Sequence, residues 1–334
     1  ASGESPGPDL APRSRGEVTL DLPFSLDSAD ALRVSAFDWK DRLLNTWTWS
    51  LPGSRRILSR IVSRSGPIPS WVKDPEGITV TAGITSFIFD SVSGELRRVR
   101  NGGHLIPFGC GPSLQGSSAG PSSPGTQTSL QESDSSLVLN VDGHPDFRRM
   151  EWTVYGSGWL KLDYEYEITG PVDYLGISFN YPEERMQEMT WLGKGPYRVW
   201  KNRMKGGTLD AWSNASRSFK VNTAWEYPEF PGYYADFRWV DFSTSDGTIV
   251  IATSSPDLFL RVYRQEDGED PRHTAMKWPG GDISLLHAIP PIGTKFLKPG
   301  ELGPQGERFN ASGPCRGTVW FYFGQPGRAG AGRE

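Results

Sequence analysis

Apolar and polar positions alternate along most of this chain, and nowhere do they recur with the spacing of a long helix. A period of two marks strands with one face buried. The pattern predicts strands over Ile78–Ala82, Thr85–Asp90, Glu95–Arg100, Ser136–Val141, Phe147–Tyr155 and Trp159–Ile168. It continues over Tyr174–Asn180, Ser218–Val221, Phe237–Ser243, Thr248–Ser254, Leu258–Val262 and Thr318–Phe323. Gly, Asn, Asp and Pro separate these runs, and Ser245-Asp246-Gly247 and Ser157-Gly158 read as hairpin turns. Strands in close succession predict an all-β sandwich or barrel rather than βαβ units.

The ends and the middle read differently. Residues 1–16 and 327–334 are expected to be disordered. Residues 17–52 offer two or three strands, at Glu17–Leu22, Ala31–Phe37 and Leu43–Leu51, with Trp47 and Trp49 on one face. Those strands are too few to bury a core of their own. Residues 53–73 read as a linker, either one short helical turn or a linker strand, with Arg55, Arg56, Arg60 and Arg64 around Ile57, Leu58, Ile61 and Val62. The main domain then spans 74–326. Residues 113–135, rich in Ser, Gly and Pro, are expected to form a mobile insertion, because they carry too little apolar area to order themselves.

Composition sharpens this picture. The 334 residues include 13 Trp, 16 Phe and 11 Tyr beside 39 Gly and 27 Pro, the balance of short strands and many turns. The net charge of −4 argues against a nucleic-acid binder, whose affinity comes from clustered cations. No apolar stretch has the length of a membrane-spanning helix. Residues 1–15 do not show the charged start and apolar run of a signal peptide. Cys110 and Cys315 could pair in an oxidising compartment, and a secreted or periplasmic setting is the favoured one.

The most informative run is Trp191-Leu-Gly-Lys-Gly-Pro-Tyr-Arg-Val-Trp-Lys-Asn-Arg203. Two glycines and a proline bend the chain while Trp191, Tyr197 and Trp200 stand beside Lys194, Arg198 and Arg203. Flat rings beside polar forks suit a sugar surface. Large aromatics also fill cores, so a buried β corner is the plainer reading of the same residues.

Several ordered blocks over about residues 30–324 resemble the last domain of β-galactosidases of the second glycoside hydrolase family. Residues 191–203 are similar to that family's Trp-x-Gly-x-Gly-Pro-x-Glu-x-Tyr-x-Asp-Arg, with Arg198 for the Glu, Trp200 for the Tyr and Asn202 for the Asp. Ile78–Gly94 resembles the opening hairpin, and Gly109-Cys110-Gly111-Pro112 the Gly-Pro before a long loop. Pro228–Trp239 resembles Pro-Gln-Glu-Asn-Gly followed by Arg-Trp, with Glu229, Phe230 and Pro231 replacing Gln, Glu and Asn. Gly280-Gly281-Asp282-Ile283-Ser284 resembles a late Gly-Gly-Asp-x-Ser block, with Leu285 where the family often has a sugar-lining Trp.

The resemblance implies a galactose-mutarotase-like β-supersandwich, preceded at 17–52 by closing strands of an immunoglobulin-like domain. It implies that both catalytic glutamates lie in a TIM barrel, for which this chain has no βα alternation. No residue here is therefore expected to be catalytic. No metal cluster or cofactor motif is expected, because the four histidines are scattered and there is no Cys-x-x-Cys. The expected role is that of a C-terminal domain or small subunit which packs on a catalytic barrel chain and lines its carbohydrate pocket. The candidate carbohydrate contacts are Trp191, Trp278, Arg238, Asp282, Glu229 and His287. For Arg238, a salt bridge with Asp236 or Asp241 is the structural alternative. Two other readings stay open: a stand-alone carbohydrate-binding module, and a mutarotase or lyase that uses His287 with a carboxylate.

Overall fold

In a computed structural model, residues 2–21, 29, 31–51, 57–116, 125–215, 231–255, 257–265, 267 and 271–325 are described. The expected strand Ser218–Val221, the tail 327–334, the centre of the 113–135 insertion and Glu229 lie outside those residues. The chain divides into two units, Ala1–Ile57 and Leu58–Glu334.

The first unit holds one antiparallel hairpin, β1 (Ala31–Phe37) and β2 (Leu43–Ser50). Cross-strand partners share a face. Leu32 with Trp49 and Val34 with Trp47 therefore form an apolar face, while Arg33 with Thr48 and Ser35 with Thr46 form a polar one. The Ser35 and Thr46 hydroxyls lie 3.0 Å apart on that polar side. Residues 17–21 alternate as a strand would but take no strand conformation; alternation makes a strand only where a partner completes the ladder.

The second unit begins inside α1 (Ile57–Ile61), then runs through a meander of β3 (Ser70–Asp74), β4 (Gly77–Ala82), β5 (Thr85–Phe89), β6 (Leu96–Asn101), β7 (His104–Ile106) and β8 (Gly109–Gln115). A second meander follows, β9 (Gln127–Ser133), β10 (Ser136–Asp142), β11 (Arg149–Tyr155) and β12 (Leu160–Glu167). Next come β13 (Gly170–Val172), β14 (Leu175–Asn180), β15 (Met186–Gly195), β16 (Thr208–Ala215), β17 (Trp239–Thr244) and β18 (Gly247–Thr253). The chain closes with β19 (Phe259–Val262), β20 (Ile283–Ala288), β21 (Phe309–Ala311) and β22 (Pro314–Phe323). Both predicted hairpin turns are present, between β17 and β18 and between β11 and β12.

The stretch expected as a mobile insertion supplies the end of β8 and all of β9. Its Gln127–Ser133 part pairs with β10 across seven residues, and this ladder orders a polar sequence that buries little. The expected linker 53–73 likewise contains α1 and the start of β3.

Two nine-stranded antiparallel sheets carry the fold. One runs β16-β15-β17-β18-β22-β12-β11-β10-β9. The other runs β19-β20-β14-β8-β6-β5-β4-β3, with β7 branching from β6. Their facing sides make one core, stitched by aromatic pairs such as Phe89 with Trp152 (5.4 Å) and Phe108 with Phe321 (5.7 Å). The fold class is therefore all-β, a large two-layer sandwich. Gly111 shows why small residues recur on β8: a Cβ there would strike the Ser178 carbonyl of β14. Cys110 and Cys315 are both free.

Candidate functional site

The two best tryptophan candidates serve as packing residues in this structure. Trp191 on β15 is fully buried, with its ring 4.8 Å from that of Tyr234 and its Nε1 donating to the Lys194 carbonyl at 3.4 Å. Trp278 is 6% exposed and sits in a second cluster, with Trp200 at 5.4 Å and Tyr233 at 5.2 Å. Its Nε1 donates to the Gln265 carbonyl at 3.1 Å. Each indole spends its one donor on backbone, as a buried indole must. Tyr197, in the same run as Trp191, is 59% exposed and is the ring of that run that meets solvent.

Arg238 and Asp282 are half-buried. Arg238 follows the turn into β17, held by its backbone N–H to the Leu192 carbonyl at 2.9 Å. Its buried Nε has no hydrogen-bond partner. The salt bridge with Asp236 does not form, because Asp236 pairs with Lys194 at 2.8 Å. Asp282 accepts the Tyr181 backbone N–H at 2.9 Å.

Beside Asp282 lies a residue that the sequence did not single out. Arg261 on β19 is fully buried. Its guanidinium donates to the carbonyls of Pro279 (3.1 Å), Gly280 (2.6 Å), Gly281 (2.8 Å) and Asp282 (3.1 Å), and to the Ser284 hydroxyl (2.7 Å). Burial pulls Arg261 down to about 10, so it stays a cation near neutrality. The Gly-Gly-Asp block is thus a loop wrapped around one buried charge, and Trp278 and Asp282 flank that loop. An arginine inside an apolar strand, Phe-Leu-Arg-Val, was the available signal.

His287 on β20 lies elsewhere in the core. Its Nε2 is 3.2 Å from the Tyr164 hydroxyl, and its ring meets Tyr164 and Tyr166 edge-on at 6.0 and 5.8 Å. Burial alone pushes it down to about 4, so it is neutral near pH 7. Of the six candidates, then, Trp278 and Asp282 flank one loop, Arg238 is tied through its backbone to Leu192 beside Trp191, His287 stands apart on β20, and Glu229 lies outside the described residues.

The open face of the first sheet presents a polar groove of about 410 Å3. It follows from the alternation of β12: Leu160, Leu162, Tyr164 and Tyr166 point inward, leaving Lys161, Asp163 and Glu165 outward. Opposite Asp163 stands Glu151 on one side and Thr318 on the other. Each carboxylate has a cation: Lys161 on Asp163 (2.7 Å), Arg316 on Glu165 (2.8 Å) and Arg149 on Glu151 (3.0 Å). The Thr318 hydroxyl donates to Asp163 at 2.5 Å. Like charges directly across a sheet repel, and the interleaved cations offset that. Among the described residues no cluster of His, Cys, Asp and Glu fits a metal ion.

Residues 121–279 match the family described as the beta galactosidase small chain. This match supports a β-galactosidase-like domain over that stretch. No curated protein matches the chain. Among solved structures, a galactose 1-epimerase from Lactobacillus acidophilus NCFM is similar at 10% identity and a TM-score of 0.41, covering 77% of this chain and 99% of that one. A GalM/aldose epimerase homologue from C. elegans is similar at 8% identity and a TM-score of 0.35, with the same two coverages.

Proposed function

We propose that this chain is a non-catalytic β-shell of a β-galactosidase-like glycoside hydrolase, which docks on a partner carrying the catalytic barrel and supplies one wall of the sugar pocket. The observation that carries this reading is the match of residues 121–279 to a small chain, a description that presupposes a larger companion. The first unit supports it. A two-stranded sheet with Leu32, Val34, Trp47 and Trp49 on one face is marginal alone and gains most by joining another sheet. Trp47 and Trp49 are 44% and 49% exposed, as a face awaiting a partner would be.

The wall is assigned to Arg238 and Asp282, which keep partial access to solvent. Trp191 and Trp278 are buried and serve as packing residues. Both glutamates that retaining cleavage requires would come from the partner.

The test is complementation. Mixing the purified chain with the large chain of a two-chain β-galactosidase should produce hydrolysis of a chromogenic galactoside that neither gives alone. Hydrolysis by this chain alone, or no gain on mixing, would refute the reading. The mutarotase or lyase alternative predicts anomer interconversion or double-bond formation by the isolated chain, lost in His287→Ala.

A further inference from the structure

A second concavity, of about 780 Å3, lies away from the groove on the sheet. It is framed by the β13–β21 pair, the stretch 271–277, and two short turns at Pro299–Leu302 and Pro304–Gly306. Its size suits one or two sugar rings. Its lining is cationic in a chain whose net charge is −4. Among the described residues, Arg272, Lys277, Lys298 and Arg308 line it together with two carboxylates, Asp173 and Glu307. Outside the lining, Lys201 Nζ donates to the carbonyls of Gln305 (3.4 Å) and Glu307 (2.8 Å) and so fixes the backbone that carries Glu307.

The cations are brought together from distant parts of the sequence and set in place. Asp173 holds Lys277 at 3.0 Å and Arg308 at 3.1 Å. Asp173 thus gathers two cations at one point of the cleft, while its own charge opposes an incoming anion. The floor is stiff, since a Cβ on Gly306 would collide with the Pro299 carbonyl. Arg272 takes a left-handed φ of 46°, a conformation that costs free energy in a non-glycine residue and is often found at binding sites.

We propose that this cleft binds an anionic saccharide, one bearing a carboxylate or sulfate, with Lys277 and Arg308 taking the charge. The saccharide half of this assignment rests on the carbohydrate reading given above; the charge half rests on the cleft alone. The anion joins the Asp173-centred cluster, so Asp173 competes with it for the two cations.

Titration calorimetry on the full chain with D-galacturonate, D-galactose and inorganic sulfate tests this. Galacturonate should bind more tightly than either of the others. Lys277→Gln and Arg308→Gln should each weaken it tenfold or more, and Asp173→Asn should tighten it several-fold. Lys277 and Arg308 are 59% and 50% exposed, so the fold should survive, and the melting temperature checks that it does. Galactose binding as well as galacturonate would overturn the charge assignment, and sulfate binding as well would overturn the saccharide. No binding, or no response to the three variants, would overturn the site itself. Galacturonate binding without activity on mixing would reject the shell reading and keep the cleft; activity without galacturonate binding would do the reverse.

Discussion

Two tryptophan-rich stretches of this chain end in opposite surroundings. In the hairpin unit, Trp39 is 86% exposed and Trp47 and Trp49 nearly half exposed. In the block that starts within β15 and runs past its end, Trp191 and Trp200 are almost completely buried. The composition is the same; the number of neighbouring layers differs. A pair of nine-stranded sheets covers whatever its strands point inward, whereas a two-stranded sheet is a single layer. An aromatic side chain therefore reports the architecture around it before it reports a ligand.

The sharpest way to break this comparison is a matched pair of substitutions. Trp191→Ala should cost about 3–5 kcal/mol by urea denaturation, from lost burial and the cavity left behind. Trp39→Ala should change stability by less than about 0.5 kcal/mol. Equal costs would mean that burial does not separate the two stretches.

The next effect is a pH dependence. His287 is neutral in the folded state down to about pH 4, while in the unfolded chain it takes up a proton below about 6.5. Its contribution is fully present above 6.5 and is lost as pH falls from 6.5 to 4, to a total of about 3 kcal/mol. His144, also lowered by burial, acts in the same direction. The His287→Gln variant should show a correspondingly flatter stability–pH curve between those limits. Parallel curves for variant and parent would show that the imidazole is not held neutral.

Smaller effects follow at the surface. The double change Trp47→Ser and Trp49→Ser should leave the isolated chain about as stable as before, yet weaken its association with a barrel-bearing partner about tenfold in a pull-down titration. An unchanged association would remove the hairpin from the docking face. Least of all, Arg316→Gln should leave the melting temperature unaltered, because exposed ion pairs contribute little.

Much of the second unit was legible in its alternation. Leu160–Glu167 sorts by parity into a buried and a polar face, and both hairpin turns sit where Gly follows a small or acidic residue. What local pattern does not contain is pairing between distant segments. The Glu165–Arg316 pair joins residues 151 positions apart, and the cleft gathers cations from several segments. The polar strand Gln127–Ser133 was hidden for a related reason: its order comes from the ladder with β10 rather than from buried area. The tryptophan block carries both readings in its sequence, a sugar surface and a buried β corner, and Trp191 and Trp200 take the second. Arg261 escaped notice because a lone cation in a strand says nothing of the oxygens folded around it.

The guanidinium of Arg261 carries one more consequence. Four of its five acceptors are main-chain oxygens, which any amino acid would supply. Positions 279 and 280 should therefore vary among relatives as long as the backbone path is kept, whereas Gly281 is held by its left-handed φ of 71° and Asp282 by the Tyr181 N–H it accepts, and position 261 should tolerate almost no exchange, since no other side chain has a fork of that reach. Evolutionary freedom in the loop would thus be secured by rigidity at one distant position.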